Sequence, residues 1–289
     1  MLLTLPFPNI DPEIFAIDLF GFHLALRWYA LAYIAGLVIG WRIVVRMMRR
    51  TDIWGGEAPT TAEKAEDLLT WLVLGVVFGG RIGHVLFYNP EILQHPADIL
   101  KVWEGGMSFH GGFLGVVVAV FIFTKINKIS FWSLADALVV VAPIGLFLGR
   151  IANFIKPELW GRPTNVPWAV YFPDPVAMTC PDTWLTLCTR HPSQLYEAAL
   201  EGIVLGLVLF LLAYRRGLLK FPARATAIFF FGYGISRVLV EGFRQADAQF
   251  VTPDNPFGHV VLGMTQGQLL SLPMVVIGLI LFGWTLRKT

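Results

Sequence analysis

The sequence predicts an all-α, polytopic membrane protein with about seven transmembrane helices and a small extracytoplasmic head. Three observations predict it. Apolar residues make up 56% of the 289 and charged residues only 15%, where a soluble domain carries about 25% charged residues. Mean hydropathy is +0.64. Seven apolar runs each approach the roughly 20 residues that a helix needs to cross a bilayer. Residues 1–289 read as a single integral membrane domain, with 156–193 as a head inserted between the fourth and fifth helices.

The runs follow in order. The first, 25–46, is preceded by a segment without Lys or Arg before Arg27. That segment lacks the basic start of a signal peptide, so the first span is expected to direct insertion. Small residues recur every fourth position at Ala32, Gly36 and Gly40, and in the second run, 67–88, at Gly75, Gly79 and Gly83. Such stripes let helices approach closely. The third run, 109–125, follows Ser108, a residue type suited to capping it. The fourth, 131–155, carries Arg150 directly after the apolar stretch Ala137 to Gly149. The fifth and sixth cover 194–214 and 225–243, and the seventh, 266–286, closes the chain.

Orientation follows from the loop cations. Thirteen fall on one side: Arg42, Arg46, Arg49, Arg50, Lys64, Lys125, Lys128, Arg215, Arg216, Lys220, Arg224, Arg287 and Lys288. The other side has five: Lys101, Lys156, Arg162, Arg190 and Arg244. The N-terminus is therefore expected outside and the C-terminus in the cytoplasm. Cys180 and Cys188 lie in the external loop, where either a disulfide or two free thiols fits. No basic cluster interleaved with aromatics points to nucleic acid, and no His/Cys cluster points to a metal.

Ionisable residues inside the spans carry the functional signal. An arginine at bilayer depth costs about 2.5–3.5 kcal/mol, yet Arg27, Arg81, Arg150 and Arg237 all sit in apolar runs. With the predicted topology, nearly all such groups share the outer half of the membrane, Asp136 being the main exception. Helical spacing groups them on faces: Arg81 with His84 and Tyr88; Arg150 with Asn153; Gln194 with Glu197 and Glu201; Tyr233 with Arg237, Glu241 and Arg244. The carboxylates either neutralise buried arginines structurally or orient them for a ligand. Arg27 and Arg244 can also snorkel to the interface. Convergent arginines in surplus would suit an anionic lipid headgroup. In GGMSFHGGFLG, Ser108 puts His110 in the first turn of the third helix. The helix dipole there favours neutral imidazole, which can accept a proton. Gly111 and Gly112 are expected to leave N–H groups open to an anion.

Six blocks carry a resemblance: LRWYALAY (26–33), GGRIGHVLFYN (79–89), GGMSFHGG (105–112), GRIANFIKPELWGR (149–162), RHPSQLYEAALEG (190–202) and GYGISRVLVEGFRQADAQF (232–250). In that order they resemble the bacterial prolipoprotein diacylglyceryl transferases over essentially the whole chain. The resemblance implies transfer of the diacylglyceryl group of phosphatidylglycerol to the lipobox cysteine in the signal peptide of a prolipoprotein. The products are a thioether and glycerol phosphate. It implies the bacterial inner membrane, a site facing the periplasm, membrane lipids as surroundings, and no cofactor, metal or nucleic acid.

The family's essential residues match His110, Arg150 and Arg237. Tyr29, Asn153, Glu158, Gly161, Glu197, Tyr233, Glu241 and Arg244 match its motif positions, and Arg81 joins them as a substrate-binding candidate. Two departures stand out: Ala152 replaces a glycine and Lys156 an asparagine. The alternative reading is a lipid or anion transporter. It would need polar access from both leaflets, and the inner halves of the spans are mostly apolar.

Overall fold

The structure, a computed structural model, describes residues 5–8, 10–19, 22–102, 105–180, 187–252 and 254–287. Seven long helices dominate it: α1 (Trp28–Met48), α2 (Ala62–Phe87), α3 (Phe109–Asn127), α4 (Phe131–Ile155), α5 (Ser193–Arg215), α6 (Arg224–Glu241) and α7 (Gln266–Leu286). All but α6 are long and apolar enough to cross a membrane. The chain is a multi-pass membrane protein. The expected sixth span forms as α6, but Arg224, Arg237 and Glu241 fall within its 18 residues and lower its apolarity. Lys288, counted among the cytoplasmic cations, lies outside the described residues.

The helix ends follow local chemistry. Ser108 caps α3, its Oγ accepting from Gly111 N at 3.1 Å. Thr61 caps α2, so that helix begins several residues before its apolar run. Thr265 and Gln268 close a capping box at the start of α7. The all-α expectation needs correction: three small two-stranded sheets accompany the helices. β1 (Leu5–Pro6) pairs in parallel with β4 (Val170–Tyr171), and β5 (His259–Val261) pairs with β6 (Met264–Thr265). β2 (Glu13–Leu19) and β3 (Phe22–Arg27) form an antiparallel hairpin that pairs Glu13 with Arg27. The hairpin takes the residues 25–27 that hydropathy alone assigns to the first helix.

Backbone packing divides the chain into two compact units, and α1 and α4 run through both. The first joins residues 1–40, 139–216 and 224–289. Here Gly36 faces Gly145, where an added Cβ would lie 3.0 Å from the Gly145 Cα. Gly278 of α7 likewise sits 2.9 Å, measured from such a Cβ, from Phe231 Cα of α6. A small apolar core of Val170, Phe172 and Ala177 gathers Phe7, Phe154 and Trp160 around it.

The second unit covers residues 41–138 and 217–223. The Gly75, Gly79 and Gly83 stripe of α2 meets Gly111 and Gly115 of α3, and a Cβ on Gly79 would lie 2.7 Å from Gly115 Cα. Glycine is required on both sides for this approach.

Candidate active site: a buried arginine–glutamate cluster

In the first unit α4, α5 and α6 bring their polar faces together. α5 is not a uniform helix. Residues Ala198–Val204 wind as a π-helix between α-helical ends, and Gln194, Glu197 and Glu201 are all buried along it. Such turns recur at functional sites.

Glu197 is the hub. Its Oε2 lies 2.8 Å from Arg150 Nε, and its Oε1 accepts from Arg237 Nη1 and from Arg244 Nη1 at 3.0 Å. Glu241 accepts from Arg237 Nη2 at 3.1 Å and from the Thr265 hydroxyl at 3.1 Å, with Arg244 Nε at 3.6 Å. Glu201 lies 3.6 Å from Arg150 Nη2 and 4.0 Å from Arg237 Nε. Gly267 keeps room for Glu241, since a Cβ there would fall on its carboxylate. Tyr233 stacks on Phe229, its ring centroid 5.8 Å away.

The expected surplus of positive charge is corrected by this pairing. Three guanidiniums meet three carboxylates, because the i, i+3 and i, i+4 spacings that gather the arginines gather the glutamates too. The layering still favours an anion. The Arg150, Arg237 and Arg244 side chains keep 14–17% of their surface exposed, against 0–1% for Glu197 and Glu201. The cations therefore form the accessible face of a neutral cluster. Arg150 is the open member. Neither of its carboxylate contacts has hydrogen-bond geometry, since Glu197 Oε2 and both Glu201 oxygens accept none. Among the described residues its planar fork donates no hydrogen bond to a protein acceptor.

A second network begins where α4 ends. Asn153 Nδ2 donates to Glu158 Oε1 at 2.8 Å, and Lys156 Nζ pairs with Glu158 Oε2 at 2.7 Å. Lys156 thus neutralises Glu158 and sits 6.0 Å from the Tyr29 ring centroid. The Tyr29 hydroxyl is 3.2 Å from that of Tyr33. Arg27 pairs with Glu13 at 2.9 Å while more than half exposed, in keeping with an interfacial arginine. A cleft of about 410 Å³ opens here between Glu13, Arg27, Trp28, Tyr29, Ala152 and Lys156.

Gly161 acts through backbone. Its N–H donates to His191 O at 2.9 Å, it bridges Arg244, and Arg162 N–H donates to Phe243 O at 2.8 Å. Arg162 Nε adds a bond to Arg244 O at 2.8 Å. A Cβ on Gly161 would lie 2.7 Å from both His191 Cβ and His191 O. Gly161→Ala is expected to lower stability by about 1–3 kcal/mol through overpacking and to disturb Arg244. Thermal unfolding in detergent measures it, and an unchanged midpoint would refute the close fit.

Sequence reasoning missed Arg190, counted only as a loop cation. It is 4% exposed, and its nitrogens reach the carbonyls of Gly161, Val176, Ala177 and Thr179 and the Gln245 Oε1. It also stacks on Trp160 at 4.2 Å. Burial pulls its pKa down to about 10, and burial likewise lowers that of His191. Cys180 and Cys188 form a disulfide beside this segment. Residues 181–186 of the predicted head lie outside the described residues.

The second unit holds Arg81, His84 and His110. Arg81, a substrate-binding candidate, donates to main-chain carbonyls of the segment before α3. Nε donates to Ile99 O at 2.8 Å, Nη1 to Gly105 O at 2.7 Å, and Nη2 to Asp98 O at 2.6 Å. It orders the segment leading to Ser108. His84 packs over Gly106, where the φ of +74° and the ring 2.6 Å from a notional Cβ both demand glycine. His110 opens α3 with an exposed ring. The Gly111 and Gly112 amides, expected to be open, are taken by Ser108 Oγ and Ser108 O at 3.1 and 2.9 Å. Those glycines serve helix packing instead.

Helices long and apolar enough to cross a membrane, two of which share a buried arginine–glutamate cluster with α6, define a polytopic membrane protein with ionised groups inside it. The sequence profile of the family "Prolipoprotein diacylglyceryl transferase" matches residues 15–284. The chain belongs to that family. It is 60% identical over 280 residues to a phosphatidylglycerol–prolipoprotein diacylglyceryl transferase of Cereibacter sphaeroides, covering 95% of this chain and 96% of the relative. The enzymes of the same name from Ruegeria pomeroyi and Rhizobium meliloti are 55% and 48% identical. Those alignments cover 96% of this chain, and 96% and 93% of the relatives.

Proposed function

We propose that this protein transfers the diacylglyceryl group of phosphatidylglycerol to the lipobox cysteine thiol of prolipoproteins, in the bacterial inner membrane with the site on the periplasmic side. The cation count, thirteen against five, supports that orientation and a cytoplasmic C-terminus. α6, sixth in chain order, is proposed to cross the membrane as well and so to bring the number of spans to seven, since its charged side chains turn onto α4 and α5. The family assignment leaves the transporter reading without support.

The observation that carries the mechanism is Arg150, a half-buried guanidinium at the edge of the cluster that is ion-paired but makes no hydrogen bond among the described residues. Arg150 and Arg237 hold the phosphodiester and stabilise the charge that gathers on it as the carbon–oxygen bond breaks. Glu197 and Glu241 orient the arginines, and Tyr233 lines the cluster. Tyr29 and Asn153 meet headgroup or ester oxygens, Asn153 being held by Glu158. Gly161 fixes Arg244, and Arg81 is a positioning residue for the approach to α3. His110 takes the proton of the incoming thiol, whose free pKa is about 8.5. The carbon–sulfur bond forms, and glycerol phosphate leaves.

The test is direct. Purified protein in detergent, given phosphatidylglycerol and a lipobox peptide, is expected to alkylate the cysteine, and an unmodified peptide refutes the activity. His110→Gln is expected to lower kcat by about 10²–10⁴-fold, the usual span of a general base. Mass spectrometry of the peptide reads the outcome, and unimpaired turnover would remove His110 from the chemistry.

A further inference from the structure

One carboxylate in the cluster lacks what the others have. Glu197 and Glu241 each accept hydrogen bonds from guanidinium or hydroxyl donors. Glu201 is fully buried and neither of its oxygens accepts one. The charged and titratable groups facing it are Arg150 from α4, Glu197 from its own helix, and Tyr233, Arg237 and Arg244 from α6 and the turn that follows. The guanidiniums stop at 3.6 and 4.0 Å. The neighbouring Gly202 holds the turn in place, for a Cβ there would lie 2.6 Å from Phe147 Cβ on α4.

Charge counting gives this carboxylate a task. Three guanidiniums and three carboxylates leave the cluster neutral. A phosphodiester seated on Arg150 and Arg237 adds one negative charge in a poorly solvated site, where an uncompensated charge is costly. Protonating Glu197 or Glu241 would forfeit charge-assisted hydrogen bonds. Protonating Glu201 forfeits none and also frees Arg150 Nη2 to turn its N–H groups to the ligand.

We propose that Glu201 is the proton-binding positioning residue of this site. It takes up one proton from solution as the anionic lipid headgroup binds, so that the occupied cluster is neutral again. No covalent bond other than the carboxyl O–H forms. The inference rests on the reading of phosphatidylglycerol as ligand, and it concerns binding, so it can be measured without turnover.

The experiment titrates phosphatidylglycerol into the full-length protein in detergent micelles and follows the heat in buffers of different ionisation enthalpy. Wild type is expected to take up about one proton per lipid, with Kd rising by up to about tenfold per pH unit once Glu201 is ionised in the free protein. Glu201→Gln is expected to bind without proton uptake, its Kd moving less than about twofold over the same range. Glu201→Asp should restore both signatures. A protonated-carboxyl band in the infrared difference spectrum of wild type on lipid binding, shifted in Glu201→Asp, gives the same answer should the glutamine variant not fold. Lipid binding by wild type without proton uptake would overturn the proposal, and so would full uptake in Glu201→Gln. A wild type that binds no phosphatidylglycerol would overturn the functional reading itself.

Discussion

Glu197→Ala is expected to lower the stability of this protein by about 3–5 kcal/mol, the cost of removing one partner from a buried ion pair. Glu197 is 1% exposed and touches three guanidiniums, those of Arg150, Arg237 and Arg244. Without it three half-buried cations share two carboxylates, one of which, Glu201, makes no hydrogen bond. Thermal unfolding in detergent should show a large downward shift. Glu197→Gln keeps the volume and one acceptor oxygen, so it should fall between alanine and wild type. An alanine variant that unfolds with wild type would show that the cluster does not hold these helices together.

Arg150→Lys should do the reverse, sparing the fold and stopping the reaction. Arg150 donates no hydrogen bond to Glu197 or Glu201, so an ammonium at the same position can keep the ion pairing that these 2.8 and 3.6 Å contacts supply. It cannot reproduce a planar fork that meets two phosphate oxygens at once. Loss of one preorganised donor to a developing anion costs about 10²–10³ in kcat. The expected result is that loss in peptide alkylation with an unfolding midpoint close to wild type. Full activity would refute the bidentate grip, and a collapsed midpoint would make Arg150 a structural residue first.

The parts of this architecture that could be read from the sequence are those set by run length and helical spacing. The apolar stretches of α4 and α7 gave their helices to the residue, and Ser108 capped α3 because its hydroxyl reaches the third amide of the turn. The 4, 4 and 3 spacing of Tyr233, Arg237, Glu241 and Arg244 put α6 on the right face. What escaped depends on partners distant in the chain. Arg81 and Arg190 are satisfied by main-chain carbonyls, which every residue carries and no pattern marks. The β3 strand carries the apolar residues Leu24, Ala25 and Leu26 near its end and runs straight into α1, so hydropathy started the span three residues early, at 25. Gly111 and Gly112 looked like an open anion site because a sequence shows missing side chains but not the helix that fills the space.

The wide turn at Ala198–Val204 has a consequence for how this family can vary. A single π-helical turn takes up one residue more than regular winding while leaving the α-helical segments on either side nearly in phase. A one-residue deletion among those seven positions would let the helix close to regular winding with Gln194 and Glu197 still facing the arginines. The same deletion in the regular winding that follows, Leu205–Arg215, would turn the two sides by about 100° relative to each other. Natural relatives should therefore tolerate a change of length within the wide turn more readily than in the regular helix beside it.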